Sequence, residues 1–147
     1  MYQRILIPTD GSKLSHKAAQ AGLELAELMG ADVVALNVVP KYPVSYFEGS
    51  VSVGAQETQR LEKLWAEKAE AVVAELKGQA EAKGLKAKAV TMRSDLVAES
   101  IIAAAKKHKC DLIVMASHGR KGLKRLLLGS ETTNVLTHSP LPVLVLR

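Results

Sequence analysis

Glycine and serine recur at a defined spacing in the segment 115–130, which reads MASHGRKGLKRLLLGS. Gly119 is followed by nine residues and then by Gly129 and Ser130. Glycine lets a backbone approach an anion closely, and the amides of a helix that starts at Ser130, together with its hydroxyl, can donate to phosphate. The spacing therefore suggests a phosphate site, to which four cations of the segment would add charge: Arg120, Lys121, Lys124 and Arg125.

The same spacing has a simpler interpretation. Gly129 ends a turn, Ser130 caps a helix, and the basic residues are solvated. Residue types alone favour this interpretation because isolated Gly-Ser helix starts are common. The position of the segment in the fold has to separate the two.

Asp10 and His118 are the other polar residues placed to bind a ligand. The Asp10 carboxylate can accept hydrogen bonds from a ribose or an adenine amino group, or it can close a turn before a helix. His118 can donate to phosphate, or it can be an exposed loop residue. The remaining histidines have no metal-ligand spacing, so we expect no protein metal site: His16, His108 and His138.

The common catalytic signatures are missing from the chain. It has no G-x-x-x-x-G-K-[ST], G-x-G-x-x-G, H-E-x-x-H or G-x-S-x-G motif. Ser117 and His118 are adjacent, but adjacency does not give the geometry of a nucleophile and its base. The sequence therefore argues against the commonest ATPase, dehydrogenase, metalloprotease and esterase classes.

Alternating strand and helix patterns must position these residues. Buried strands are predicted over residues 2–8, 32–39, 111–116 and 141–146, and the alternating segment 86–92 predicts an edge strand. This order predicts an α/β fold with a parallel sheet of five strands. In such sheets a ligand lies outside the carboxyl ends of the strands where strand order reverses, which points to residues 8–11 and 115–119.

Four helices are predicted between the strands. The first carries the stripe Leu14, Ala18, Ala21, Leu25 and Leu28 and ends at Gly30. The second covers residues 57–83 before Gly84, with an apolar face of Leu61, Leu64, Trp65, Val72, Val73 and Leu76. Ser94 or Asp95 should cap the third, which carries Leu96, Val97, Ile101, Ala104 and Ala105. A short helix follows Ser130, and residues 41–55 are predicted to form a loop.

Composition sets the broad class. With 147 residues, of which 48% are hydrophobic, the chain should form one domain over residues 1–147. The single cysteine, Cys110, excludes an intrachain disulfide and is expected to be a small buried hydrophobe. No segment resembles a signal peptide or a membrane span, so we expect a cytoplasmic protein without a membrane partner. The net charge of +5 suits an anionic partner, but 3% aromatic residues argue against nucleic acid.

Five segments together resemble the universal stress protein family. They are ILIPTDGS at 5–12, LNVV at 36–39, DLIVMASHG at 111–119, LLLGS at 126–130 and PVLVL at 142–146. The resemblance covers the whole chain. It implies strand order 3-2-1-4-5 and a homodimer formed through the last strand, at Val143–Leu146.

The family contains members that bind ATP and members that bind no nucleotide. The ATP-binding members share the motif G-x-x-G, nine residues, G-[ST]. By resemblance, Gly119 matches its second glycine, Gly129 its third glycine and Ser130 its final hydroxyl residue. The first glycine of that motif is Ala116 here. Pro8, Asp10 and Val38 match positions around the nucleoside, and Met115 matches a residue beside the base.

The resemblance therefore implies an ATP-binding stress-response module with at most slow hydrolysis, in which Mg²⁺ arrives with the phosphates. The alternative is a structural dimer of the same fold that binds no nucleotide. The predicted nucleotide site consists of Pro8, Thr9, Asp10, Val38, Met115, Ala116, His118, Gly119, Arg120, Gly129, Ser130, Glu131 and Thr132.

Overall fold

Strands and helices alternate along the whole chain. A computed structural model describes residues 1–41, 54–119 and 128–147. Over these ranges the order is β1 (Arg4–Pro8), α1 (Lys13–Met29), β2 (Asp32–Val39), α2 (Ala55–Ala82), β3 (Ala87–Arg93), α3 (Val97–Lys107), β4 (Leu112–Ala116), α4 (Ser130–His138) and β5 (Val143–Leu146). The strands pair in parallel in the order β3-β2-β1-β4-β5. The predicted fold class and strand order are confirmed.

The sheet separates two hydrophobic cores. Because side chains alternate along a strand, Ile5 and Ile7 of β1 face α1 and α2, whereas Leu6 faces α3 and α4. In β4, Val114 lies in the first core and Met115 in the second. Both faces of the central strands are therefore covered, as their continuous apolar sequences predicted.

Helix α1 packs against the sheet through a different set of residues from the leucine-containing stripe that the sequence predicted. Its buried residues are Ser15, Ala18, Ala19, Gly22, Leu23 and Ala26. A Cβ on Gly22 would lie 2.8 Å from Cδ1 of Ile7, so glycine allows this approach without a shift of the Ile7 side chain. The predicted stripe was wrong at Leu28, which is 85% exposed. Apart from Leu23, small residues form the contact face.

The start of helix α3 also differs from the prediction. Leu96, expected to be buried, is the N-cap and is 59% exposed. The Ser94 hydroxyl accepts from the Leu96 amide, and the Asp95 carboxylate accepts from the Lys41 amide, so neither caps the helix. The Ala98 amide in the first turn donates instead to Oε2 of Glu131, at 3.0 Å.

Helix α2 has a narrower buried face than its sequence predicted. Ala69, Val73, Leu76 and Ala80 are buried, but Leu64 is 45% exposed. Of the predicted loop 41–55, residues 42–53 lie outside the described ranges, and α2 begins at Ala55.

The sheet ends in two exposed edges. β3 is an edge strand, as its alternating lysines predicted. At the other edge, β5 leaves Leu144 40% exposed.

Cys110 is buried, as predicted, because it lies between α3 and β4 in the second core. Within the described ranges, no helix has both the length and the apolar character that a membrane span requires.

Candidate functional site

The carboxyl ends of β1 and β4 meet at the centre of the sheet. β1 pairs with β2 on one side and with β4 on the other, so the strand order reverses between β1 and β4. Parallel sheets bind ligands at such a point. Both segments singled out in the sequence, 8–11 and 115–119, therefore lie at the same place.

The turn after β1 is fixed by its own polar side chains. Oδ1 of Asp10 accepts a hydrogen bond from the Ser12 amide at 2.9 Å. Ser12 is the N-cap of α1, and its hydroxyl accepts from the Ser15 amide. Gly11 has a φ of 78°, which glycine adopts without strain. The position of the Asp10 carboxylate is thus set by the start of α1.

Gly119 brings the segment after β4 against this turn. A Cβ on Gly119 would lie 2.7 Å from Oδ2 of Asp10, which is closer than a carbon atom can approach. Glycine at this position lets the two strand ends touch. The structure therefore brings together two predicted site residues that are 109 positions apart in the chain.

Gly129 connects β4 to helix α4. Its amide donates to the Ser117 carbonyl at 2.8 Å, and a Cβ there would lie 3.2 Å from Cα of His118. Gly129 is also the N-cap of α4, and without a side chain it cannot cap the helix. The first amides of α4, beginning with exposed Ser130, are hence oriented as donors beside the end of β4.

Thr132 ties the first turn of α4 to the sheet. Its side chain is 2% exposed, and its hydroxyl donates to the Ala116 carbonyl at 3.0 Å. Ala116 itself belongs to β4 and pairs with Leu146. Among the described residues, positive φ occurs at three glycines and at Lys109, so the backbone of Ala116 does not require glycine.

Two apolar members of the predicted site, Val38 and Met115, lie on one face of the sheet. Met115 is buried in the core beneath α3 and α4, and Val38 packs against the same core. Ala116 points to the opposite face, because it follows Met115 in the strand. Pro8 ends β1, and the next residue, Thr9, extends the pairing through its amide to the Leu36 carbonyl at 2.8 Å.

One predicted site residue is directed away from this assembly, and another lies outside the described residues. Glu131 follows Ser130, but its carboxylate accepts from the Ala98 amide of α3. Arg120 lies outside the described residues, as do Lys121, Lys124 and Arg125.

Ser117 has a structural role in the site that the sequence did not indicate. Its carbonyl accepts from Gly129, its amide donates to the Leu146 carbonyl at 2.7 Å, and it is buried. Its hydroxyl lies 3.2 Å from Nδ1 of His118. The one signal for this role was the position of the serine at the end of a buried strand, and that position is a weak indication. In the part of the chain that the structure describes, no three His, Cys, Asp or Glu side chains form a metal cluster.

Known proteins are similar to this chain in both sequence and fold. The chain is 37% identical to universal stress protein MJ0531 of Methanocaldococcus jannaschii, covering 100% of this chain and 83% of the relative. It is 32% identical to universal stress protein MJ0577 of the same organism, covering 100% of this chain and 96% of the relative.

Solved structures agree with the sequence comparison. The structure of MJ0577 superposes with a TM-score of 0.81 at 31% identity, covering 99% of this chain and 96% of that one. A universal stress protein solved in complex with cAMP has a TM-score of 0.65 at 23% identity, with 99% and 97% coverage. An Archaeoglobus fulgidus member in complex with dAMP has a TM-score of 0.63 at 14% identity, with 99% and 98% coverage. Since the universal stress protein family also matches residues 1–147 as a whole, this chain belongs to that family.

Proposed function

We propose that the chain binds ATP at the junction of β1 and β4 and acts as a nucleotide-dependent regulatory module. The observation that carries this proposal is the packing of Gly129 against the backbone of Ser117 and His118. This packing directs the amides of the first turn of α4 toward the end of the sheet. Helix N-termini and close-packed glycines are the general means by which α/β proteins hold phosphate.

The nucleoside end is assigned to the other strand end. Asp10 faces Gly119 and offers carboxylate oxygens as acceptors for a ribose or adenine amino group. Val38 and Met115 lie on one face of the sheet and supply apolar surface for a base. Relatives of the same fold solved with cAMP and dAMP hold ligands of this class, an adenine nucleotide.

Glu131 does not oppose the phosphates in this arrangement. A carboxylate beside a phosphate is repulsive, but that of Glu131 is hydrogen-bonded to helix α3. The segment around Ser130 therefore presents amide and hydroxyl donors. Mg²⁺ would arrive with the phosphates, because the described residues hold no cluster that would bind it alone.

Binding, rather than turnover, is the proposed activity. Ser117 is only 5% exposed, so its hydroxyl is not presented to a ligand as a nucleophile, even though it lies 3.2 Å from Nδ1 of His118. Any hydrolysis would be slow, since efficient turnover requires a positioned general base.

Equilibrium titration with ATP and Mg²⁺ tests the proposal. Gly129→Val should abolish binding, because a branched side chain would enter the backbone of Ser117 and His118. Gly78→Val is the matched control: Gly78 is exposed within α2, and a Cβ there meets nothing within 4 Å. This control should bind ATP as the parent does.

Two further outcomes complete the test. Ala116→Gly should change ATP affinity less than about threefold, since the Ala116 methyl points away from the face that holds Met115. Absence of ATP binding by the parent at millimolar nucleotide would contradict the proposal. It would favour the structural dimer without a nucleotide site.

A further inference from the structure

A second concave site lies at the opposite end of the sheet, where the strands begin. It is a pocket of about 440 Å³, within the size range of small-molecule sites. Five cationic side chains line it: Arg4, Lys86, Lys88, Lys107 and Lys109. We call it the basic pocket. The ATP proposal uses none of its residues, so the two sites are independent.

Strand register explains how the cations of β1 and β3 converge. Arg4 shares a face of β1 with Leu6, which belongs to the core beneath α3. Lys88 is the register partner of Val34, whose side chain lies in that core too. Lys86 follows the same alternation, two residues before Lys88. All three side chains thus lie on the α3 side of the sheet.

The end of α3 completes the pocket. Lys107 is the last residue of the helix, and Lys109 follows it with a φ of 54°, a conformation that usually favours glycine. Nη1 of Arg4 donates to the His108 carbonyl at 2.9 Å, which holds the helix end against β1. Lys109 therefore lines the pocket from a left-handed backbone conformation.

Most of this charge is uncompensated by the protein. Asp32 forms an ion pair with Arg4 at 3.0 Å and, among the residues that the structure describes, is the one carboxylate lining the pocket. Over residues 1–41, 54–119 and 128–147, no carboxylate lies within 4.0 Å of the four lysine Nζ atoms. Cations at a helix C-terminus and lysines on an edge strand are each common, but their convergence in one concavity costs mutual repulsion.

The pKa of His108, which lines the pocket, is affected by this positive charge. The pKa of His108 is lowered by burial first, and then by Lys88, Lys107 and Arg4. The same three cations therefore act on a single point. A bound anion would reverse their effect.

We infer that the basic pocket binds a compact anion that carries two or more phosphate groups. Lysine is a strong point-charge ligand for phosphate, and each phosphate monoester brings a charge of about −1.5 to −2. Two such groups balance the excess of cations over Asp32.

Calorimetric titration with inorganic tripolyphosphate, in the Gly129→Val background to close the proposed ATP site, tests this inference. Lys88→Gln and Lys107→Gln should each weaken binding about tenfold, the usual effect of losing a hydrogen bond to a charged group. Lys106→Gln is the matched control, because Lys106 is exposed in the same turn of α3 but does not line the pocket. It should change affinity less than twofold.

Amide NMR shifts of the parent protein locate the ligand without any variant. We expect saturable shifts at Lys88, His108 and Lys109 and an upward movement of the His108 pKa. Shifts confined to Ser117 and Ser130 would place tripolyphosphate in the proposed ATP site and overturn the inference. Equal losses in Lys106→Gln and Lys88→Gln would do the same, since they would indicate diffuse charge attraction.

Two further titrations separate the possible sources of the ligand. Fructose 1,6-bisphosphate represents phosphorylated metabolites, and long-chain polyphosphate represents inorganic polymers. Saturable binding of either one supports the inference and identifies its source. If neither ligand nor tripolyphosphate binds at millimolar concentration, the inference fails. ATP binding, measured separately, is unaffected by that failure.

Discussion

Single residues differ in how clearly the sequence indicates their roles. Gly119 and Gly129 could be assigned to the site because their position after a predicted strand and the resemblance to the family motif agree, whereas their residue types alone favour an ordinary turn and cap. The structure shows why they must be small: one touches the Asp10 carboxylate and the other touches the backbone of His118. Ser117 was not recognisable, because its hydrogen bonds use main-chain atoms that every residue has.

Cys110 supports a prediction at this scale. Burial raises the pKa of its thiol to about 11, with Arg4 lowering it and Asp111 raising it by smaller amounts. At neutral pH roughly one molecule in 10⁴ then carries the reactive thiolate. We expect Cys110 to react very slowly with a disulfide reagent in the folded protein and rapidly in denaturant. The rate of thionitrobenzoate release measures both states. Fast labelling of the folded protein would contradict the burial of this thiol.

Elements were predictable in kind and order, but less so at their ends. Strand and helix periods identified all the described elements, since apolar periodicity follows directly from burial. The start of α3 was mispredicted because its cap comes from Glu131, which lies 33 residues from Ala98. The face of α1 was mispredicted at Leu28 because Gly22, Leu23 and three alanines form the contact with the sheet instead.

The cap between helices yields an element-scale prediction. Glu131→Ala should lower the free energy of unfolding by about 1 kcal/mol, the usual effect of removing a helix N-cap. Glu131→Gln keeps an acceptor and should recover most of that loss. Urea titration followed by circular dichroism measures the differences.

Glu70→Ala is the control for that measurement. Glu70 is exposed on α2, and replacing it should change stability by less than about 0.5 kcal/mol. If the Glu131→Ala protein proved as stable as the Glu70→Ala protein, the bond to Ala98 would contribute nothing.

At the scale of the whole molecule, alternation of strands and helices was enough to predict a parallel α/β sheet. The strand order 3-2-1-4-5 came from the family resemblance, because periodicity does not fix which strands are neighbours. The basic pocket was not predicted at all. Its cations lie between residues 4 and 109, and only register and the end of α3 bring them together.

Assembly is the remaining whole-molecule prediction. The carbonyls of Pro142 and Leu146 accept from β4, so the backbone groups of Val143 and Val145 face outward from the sheet edge. A second copy can pair with those groups. Val145→Pro should therefore give monomers while sparing the pairing of β5 with β4. Light scattering after size-exclusion chromatography measures the mass.

Val145→Ala separates side-chain packing from main-chain pairing. It retains the amide that proline lacks, so it should remain dimeric. A dimeric Val145→Pro protein would place the interface elsewhere on the molecule.

The first turn of α4 is held by three hydrogen bonds, from Gly129 to Ser117, from Thr132 to Ala116 and from Ala98 to Glu131. All three bonds are made within the protein itself, so the amides of this turn are preorganised. A phosphate that binds them does not have to order the chain first, which removes an entropic cost that flexible anion-binding loops incur on binding. In the proposed site, the acidic side chain of Glu131 would thus favour anion binding indirectly, by immobilising the donors next to it.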